Sequence, residues 1–284
     1  MGGCDLQFLT AFGRKLLVKV AATGIEASDI VQMSGGYGPL AKAKPTAAGA
    51  HNGSIQLGDL GCEGVGTVVA AGADPKSVSG YDFKVGDAVM WFGYASSFRE
   101  YVVLEANPPF TTGQESQLGP WKVPSPTPEW TVFPCSALTA IGGLELEGHI
   151  SAGMDVLVTG AAGGTGHVAV QWAKKIWGAR VAGTCGSAEK ASLLEGLGCD
   201  VTVNYRTQDV AAALKAEFPQ GFDLIYEGVG GRIGNIARRL LADDGFLVQI
   251  GYVGTDYSGA TMGDIDGAPV ELKSGQGEMC AAAR

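Results

Sequence analysis

The sequence lacks long apolar runs free of charge, and it lacks clusters of basic residues. None of its apolar runs reaches the length that crosses a bilayer. Lys and Arg form no run and the formal net charge is −9, which excludes a general nucleic-acid surface. Neither the segment Met1–Thr10 nor the final Ala-Ala-Ala-Arg resembles a targeting signal. We predict a soluble protein without membrane or nucleic-acid partners, cytoplasmic by default, with an organelle left open.

The sequence also lacks the common signatures of hydrolases and metalloenzymes. GxSxG is absent, and His51, His149 and His167 stand in neither HExxH nor another ligand spacing. The six cysteines form no CxxC pair, which favours a reducing compartment over a disulfide framework. Metal catalysis and serine hydrolysis therefore have no positive support, whereas hydride transfer needs few acid–base residues from a protein.

What the sequence does contain is enough length and apolar content for two domains. It has 284 residues, 46% of them apolar and 17% charged. We predict a β-rich domain over 1–128, a nucleotide-binding domain over 129–254 and an irregular tail over 255–284. Within the first domain, Ala41–Asp59 and Pro108–Pro128 are predicted to be irregular because turn-forming residues dominate there. Its predicted strands are Leu16–Val20, Gly66–Ala70, Asp87–Trp91 and Tyr101–Leu104.

After His149 the pattern changes to strands that alternate with helices, as in βαβ units. The apolar run Asp155–Thr159 is typical of a strand buried on both faces. The predicted strands are Asp155–Thr159, Arg180–Gly183, Val201–Val203, Leu224–Tyr226 and Phe246–Ile250. The predicted helices are one with Val168, Ala169, Trp172, Ala173 and Ile176 on a single face, then Ser187–Leu197, Val210–Phe218 and Ile233–Leu241. Five strands and four helices in alternation predict a doubly wound α/β sheet.

A glycine-rich turn joins the first of these strands to its helix. Thr159 is followed by Gly160–Gly166, the strand–turn–helix context that a dinucleotide fingerprint requires. Measured against GxGxxG, Ala161 stands at the first glycine, while Gly163 and Gly166 hold the later positions. The turn and the helix N-terminus are predicted to bind a pyrophosphate, with a turn that binds nothing as the alternative.

The residues after the second strand bear on which dinucleotide is bound. Sites for NAD place an acid about twenty residues beyond the fingerprint, at the ribose 2′-hydroxyl. Here Gly183–Ser187 contains no acid, and Lys190 follows in the first turn of a helix, where a cation opposes the macrodipole. Tyr205 and Arg206 are predicted to close the same pocket. These residues favour NADPH, although Lys190 is equally explained as a solvated surface lysine.

Six segments together resemble the medium-chain dehydrogenase/reductases, in which a GroES-like β-barrel domain is joined to a Rossmann domain. The resemblance runs from about Leu16 to Tyr252 and is strongest to the zinc-free quinone oxidoreductase branch, within it to the 15-oxoprostaglandin 13-reductases. The segments are Val18–Asp29, Gly61–Gly66, Gly160–Gly166, Gly183–Lys190, Asn204–Arg206 and Tyr226–Gly231.

The resemblance implies an NADPH-dependent enzyme that reduces the carbon–carbon double bond of an enone or quinone by hydride transfer to the β-carbon. It places Tyr37 and Tyr257 near the substrate as candidate catalytic residues. Gly186 and Gly228 stand where similar proteins carry serines, so two hydroxyl contacts to the cofactor are expected to be missing. The full predicted cofactor set is Gly160, Ala161, Gly163, Gly164, Thr165, Gly166, Ser187, Lys190, Tyr205, Arg206, Gly228 and Ile250.

Zinc-using members of the family place Cys, His and Cys around a catalytic metal, and the corresponding positions here are Glu26, Cys62 and Cys135. Because the histidine is absent, we predict no metal site, and Glu63 is interpreted as a structural acid. A zinc-dependent alcohol dehydrogenase is therefore the third hypothesis. The second is a nucleotide-binding protein without catalysis, serving as a sensor or a structural protein.

The resemblance also implies elements that the sequence does not show. Members of the family carry a β-hairpin before the strand at Leu16, and a further strand and helix after Ile250. We therefore expect a truncated chain whose Rossmann sheet lacks its last strand and helix and has an exposed edge. Members pair through that edge, so a homodimer is left open.

Overall fold

The computed structural model describes the chain in five ranges, 13–33, 60–76, 82–93, 97–108 and 117–251. The predicted loop Ala41–Asp59 and the predicted tail 255–284 lie outside them. The chain divides into two compact units, Met1–Cys135 and Ser136–Arg284.

An antiparallel sheet forms the first unit, with five described strands in the order β4-β1-β2-β3-β5. Residues alternate in burial along β1, where Leu16 and Val18 are fully buried, as expected of a strand with one face on a core. The edge strands β4 and β5 also contact each other, so the sheet curls. The strands are β1 Lys15–Ala22, β2 Glu63–Ala71, β3 Ala88–Gly93, β4 Tyr101–Glu105 and β5 Gln117–Lys122, and a short helix α1 covers Ala27–Met33.

The prediction that Pro108–Pro128 is irregular is wrong over β5, which pairs with β3. The Gly119–Pro120 pair argues against a strand, because proline cannot donate to the hydrogen-bond ladder. An edge strand tolerates that loss, and β5 lies at the edge of the described sheet. Lys122 further ties β5 to β3 through an ion pair with Asp87 at 2.6 Å.

A five-stranded parallel sheet forms the described part of the second unit, in the order β10-β9-β6-β7-β8. The predicted alternation of strands and helices is confirmed. The strands are β6 Asp155–Val158, β7 Arg180–Cys185, β8 Val201–Asn204, β9 Phe222–Glu227 and β10 Leu241–Gln249. The helices are α2 Leu138–Ile141, α3 Gly164–Gln171, α4 Ala188–Leu197, α5 Val210–Glu217 and α6 Gly231–Arg239.

Helices cover both faces of this sheet. One core combines Val156 and Val158 of β6 with Ala169 of α3 and Leu194 of α4. Leu157, the residue between the two valines, lies in a second core with Leu214 and Ala237 from α5 and α6. Successive strand residues point to opposite faces, so Val156, Leu157 and Val158 must all be apolar. This is the doubly wound arrangement that the sequence predicts.

Two helix ends differ from prediction. The predicted helix Ile233–Leu241 is too long, because α6 ends at Arg239. Leu241 is instead the first residue of β10, where it pairs with Phe222. Ile176, predicted on the apolar face, is 60% exposed. Wider π-helical turns over Trp172–Ile176 follow α3, and they change the phase of the face that an α-helix would continue.

The strand order reverses at β6, which lies between β7 and β9. The chain moves from β6 to β7 and β8 on one side, and then returns to β9 and β10 on the other. In open α/β sheets this reversal opens a crevice at the carboxyl ends of the strands, where ligands bind. None of the helices among the described residues is long and apolar enough to span a membrane.

Candidate cofactor site

The glycine turn after β6 is bonded to the neighbouring strand β7. Gly160 has φ +57°, a left-handed conformation that favours glycine, and its N–H donates to Thr184 Oγ1 at 3.1 Å. The Ala161 N–H donates to the Thr184 carbonyl oxygen at 2.9 Å. Ala161 is fully buried and keeps a negative φ, so alanine is accepted where the fingerprint has its first glycine.

Gly166 lets α3 begin directly against this turn. A Cβ atom at Gly166 would lie 2.5 Å from the Gly160 carbonyl oxygen and 2.8 Å from the Ala161 Cα. Both contacts are with backbone, which cannot move aside as a side chain can. The sequence assigned this glycine to close packing of helix and strand, and the geometry matches that role.

The N-terminus of α3 faces the end of β6 without a side-chain cap. Gly163 is the N-cap residue and makes no side-chain hydrogen bond to the helix, and Gly163 and Gly164 are both exposed. The first N–H groups of a helix have no partner within the helix and carry the positive end of its dipole. Together with Thr165, which follows in the first turn, these groups suit an anion such as a pyrophosphate.

The carboxyl ends of β7 and β8 bring together the residues predicted for the ribose end. Ser187 caps α4 by accepting a hydrogen bond from the Lys190 N–H at 3.3 Å, and the Lys190 side chain is exposed. Tyr205 is tied to the same edge, because its N–H donates to the Cys185 carbonyl oxygen at 3.0 Å. Arg206 follows it and is exposed. No acid stands between Cys185 and Lys190 except Glu189 on α4.

Gly186 and Gly228, where the resemblance leads us to expect serine, have a packing explanation. A Cβ atom at Gly186 would lie 2.5 Å from the Tyr205 hydroxyl oxygen, and one at Gly228 would lie 2.9 Å from Ile250 Cδ1. In each case a larger side chain from the next strand end occupies the space. The expected loss of a serine hydroxyl at 186 is thus accompanied by a tyrosine hydroxyl in almost the same place.

A buried acid, Glu227, was not selected from the sequence. It ends β9, is fully buried, and accepts a hydrogen bond from Thr159 Oγ1 at 2.9 Å. The signal that could have identified it is an acid at the end of an apolar strand, directly before a glycine-rich turn. The predicted catalytic residues Tyr37 and Tyr257 lie outside the described residues.

In the first unit, three ligand-type atoms from Glu26, Glu63 and Cys135 lie within 4.8 Å of one another. Glu63 is buried and accepts a hydrogen bond from the Cys135 N–H at 3.2 Å. Cys62, which the resemblance placed among the metal positions, is not in this set but borders it: its thiol is hydrogen-bonded with the Cys135 thiol and lies 3.9 Å from Ser28 Oγ.

Both the protonation and the ligand types of this cluster differ from those of a zinc site. Burial, reinforced by a hydrogen bond with Glu26, raises the pKa of Glu63 from 4.5 to about 9, so Glu63 keeps its proton at neutral pH. A hydrogen bond with Cys62, together with burial, raises the pKa of the Cys135 thiol. The set contains two carboxyl groups and one thiol but no histidine. The cluster does not fit the zinc set of the zinc-using members, and no step is assigned to a metal.

Comparisons with known families match both units. Residues 13–112 match the alcohol dehydrogenase GroES-like domain. Residues 164–271 match the family described as zinc-binding dehydrogenase. The chain belongs to the medium-chain dehydrogenase/reductase superfamily. The predicted fold class, a GroES-like domain followed by a Rossmann domain, is thereby confirmed.

Individual members of the superfamily are similar over most of this chain. Prostaglandin reductase-3 of Mus musculus is 40% identical over 238 residues, 84% of this chain and 55% of the mouse protein. A probable quinone oxidoreductase of Leishmania amazonensis is 37% identical over 242 residues, 85% and 62% of the two chains. The CurK enoyl reductase crystal structure has a TM-score of 0.68 at 25% identity, over 86% of this chain and 68% of that one. The chain thus spans little more than half the length of its curated relatives.

We expect Gly166→Ala to lower the free energy of unfolding by about 1–3 kcal/mol, because the added methyl group meets backbone. The matched control is Gly196→Ala in α4, where a Cβ atom would meet nothing within 4 Å. Gly196→Ala should raise the free energy of unfolding by about 0.4–1 kcal/mol, because alanine has less conformational freedom in the unfolded chain. Urea denaturation of the two variants measures the difference, and equal effects would contradict the packing role of Gly166.

We expect Glu63→Gln to change how stability depends on pH. The folded pKa of about 9 exceeds the ordinary 4.5, so folded protein holds a proton that the unfolded chain releases between these values. The free energy of unfolding of the unmodified chain should therefore fall as pH rises through this window, whereas glutamine cannot titrate.

Urea denaturation at pH 5 and pH 8 tests this expectation. Relative to the unmodified chain, Glu63→Gln should become more stable at the higher pH. Glu100→Gln, at an exposed acid of the same unit, is the control and should leave the pH dependence unchanged. A pH dependence that is the same with and without Glu63 would show that this carboxyl is ionised in the folded protein.

Proposed function

We propose that the chain is an NADPH-dependent reductase of the carbon–carbon double bond in α,β-unsaturated ketones, with quinones as related substrates. The observation that carries the proposal is the uncapped N-terminus of α3, placed by Gly166 at the point where the strand order reverses. A dinucleotide pyrophosphate needs this combination of helix dipole, free N–H groups and close backbone approach.

The residues present fit the cofactor along its length. The pyrophosphate would be held by the backbone N–H groups of Gly164 and Thr165, because the Gly163 N–H already donates to the Gly160 carbonyl oxygen at 2.9 Å. Glycine at 163 and 164 keeps this surface open, since both residues are exposed and carry no side chain. The adenosine half would lie toward β7, whose end carries the residues for the ribose, and the nicotinamide half toward β9 and β10. Gly228 and Ile250, which touch each other, stand at that second side.

The preference for NADPH over NADH rests on the end of β7. An acid that would accept from the 2′-hydroxyl of NADH is missing from the turn between Cys185 and Ser187. Lys190 supplies positive charge for a 2′-phosphate one turn into α4, and Arg206 supplies more from the end of β8. The Tyr205 hydroxyl, beside Gly186, adds a donor in the same region.

The bound cofactor would supply the hydride, which is added to the substrate's β-carbon. The electron pair of the double bond then moves toward the carbonyl oxygen, and a proton is added at the α-carbon, leaving the carbonyl intact. The relatives named prostaglandin reductase-3 and probable quinone oxidoreductase support this substrate class. The enzyme's main task is to hold the two reactants in line and to stabilise the developing enolate. We propose Tyr37 and Tyr257 for contact with the substrate.

We expect the purified 284-residue chain to bind NADPH saturably and to oxidise it in the presence of a linear enone or a quinone. Calorimetric titration measures the binding, and the absorbance of NADPH measures turnover. Folded protein that binds NADPH tightly but does not oxidise it with any enone or quinone tried would contradict catalysis. That result would favour a nucleotide-binding protein without activity. A chain that binds neither nucleotide would contradict the cofactor assignment as well.

We expect Lys190→Ala to raise the dissociation constant of NADPH about tenfold and that of NADH less than about twofold, because only NADPH carries the 2′-phosphate. Calorimetric titration of each variant with both nucleotides measures the ratio. Lys175→Ala is the control: this lysine is also exposed but follows the opposite end of α3 from the glycine turn. Equal changes for the two nucleotides would show that Lys190 does not contact a 2′-phosphate.

A further inference from the structure

Among the described residues of the second unit, Glu227 is the most completely buried acid, and it is surrounded by hydrogen-bond donors. Its Oε1 accepts from Thr159 Oγ1 at 2.9 Å and from the Val229 N–H at 2.8 Å. The Gly230 N–H donates to both carboxylate oxygens, at 3.0 and 3.1 Å, and Gln249 Nε2 donates to Oε2. A buried carboxylate is costly unless it is bonded in this way, so the network holds its parts in one arrangement.

The network joins three strand ends. Thr159 follows β6 and leads into the glycine turn, and its Oγ1 also accepts from the Gly228 N–H at 3.0 Å. Val229 and Gly230 lead from β9 into α6, whose N-terminus the carboxylate faces. Gln249 ends β10 and donates onward to the Gly251 carbonyl oxygen at 2.6 Å. One side chain thus fixes the carboxyl ends of β6, β9 and β10 together.

The network has a defined polarity because it ends at a cation. The Arg238 guanidinium donates to Gln249 Oε1 at 2.6 Å, which turns the Gln249 amide nitrogen toward Glu227. Arginine can only donate, so the amide of Gln249 has one satisfactory orientation. A glutamine at 227 would present its own NH₂ to that of Gln249, and turning either amide only moves the conflict to Arg238 or to the N–H groups of the turn.

Of these three strands, β9 and β10 lie on the side of β6 away from β7. The residues predicted to bind the adenosine ribose follow β7. The nicotinamide half of the dinucleotide would therefore lie across the ends of β9 and β10. Gly160 lies between the two halves of the proposed cofactor site, where an added Cβ atom would be 3.1 Å from Val229 Cγ2. The donors around Glu227 therefore belong to the backbone over which the nicotinamide would lie.

We propose that Glu227 is a positioning residue for the nicotinamide half of the cofactor, acting through the backbone of Gly228–Gly230 and Ile250–Gly251. The proposal rests on the proposed NADPH function. Its particular claim is that the two halves of the cofactor are held by separate parts of the sheet edge. Loss of the network should weaken the binding of NADPH and leave the binding of its adenosine half unchanged.

The test compares NADPH with adenosine 2′,5′-bisphosphate, which carries the adenosine and the 2′-phosphate but no nicotinamide. Calorimetric titration of the full chain gives both dissociation constants. Glu227→Gln should raise that of NADPH about tenfold, as expected from one or two lost hydrogen bonds, and change that of the bisphosphate less than about twofold. Circular dichroism checks that the variant is folded.

A second pair of variants tests the same link if Glu227→Gln does not fold. Thr159→Val removes the hydroxyl that joins Glu227 to the Gly228 N–H, whereas Thr159→Ser retains it. Only Thr159→Val should raise the dissociation constant of NADPH relative to that of the bisphosphate. If either Glu227→Gln or Thr159→Val weakens the binding of both ligands equally, or of neither ligand, the inference is overturned while the proposed function stands. An unmodified chain that binds neither ligand would overturn the proposed function, and this inference with it.

Discussion

The contact between Gly166 and the Gly160 carbonyl oxygen is the constraint on which the nucleotide-binding half depends. It sets how closely α3 approaches β6, and hence where the first N–H groups of that helix lie. Because β6 is also the strand at which the order reverses, the same contact aligns the helix dipole with the crevice at the carboxyl ends. The proposed site needs both features in one place, since neither a helix end nor a crevice alone selects a dinucleotide.

The two buried acids illustrate opposite solutions to the cost of burying a carboxylate. Glu63 is buried beside another carboxyl group, so it retains its proton and avoids the cost of burying a charge. Glu227 is instead met by hydroxyl, amide and backbone donors, and the cation of Arg238 is one hydrogen-bonded residue away. The first arrangement keeps a buried acid uncharged, whereas the second holds three loops in a fixed geometry.

Local patterns predicted most of the described second unit. Alternating apolar strands and helices with 3.6-residue periodicity predicted every strand from β6 to β10, and the strand–turn–helix context located the glycine turn. Prediction failed where tertiary pairing overrode local preference. Gly119 and Pro120 disfavour a strand, yet β5 forms because its partner β3 supplies the pairing that an edge strand needs. Leu241 continues the helical pattern but pairs with Phe222.

The sequence by itself determined the fold class and predicted a dinucleotide ligand, because glycine spacing, strand periodicity and the missing acid after β7 are local features. Only the tertiary structure decided which polar groups meet. Glu227 meets Thr159 across a separation of 68 residues, and Glu63 meets Cys135 across 72. Tyr205 takes the space beside Gly186 only because β7 and β8 are neighbours. Contacts of this kind depend on strand order and register, which no local pattern encodes.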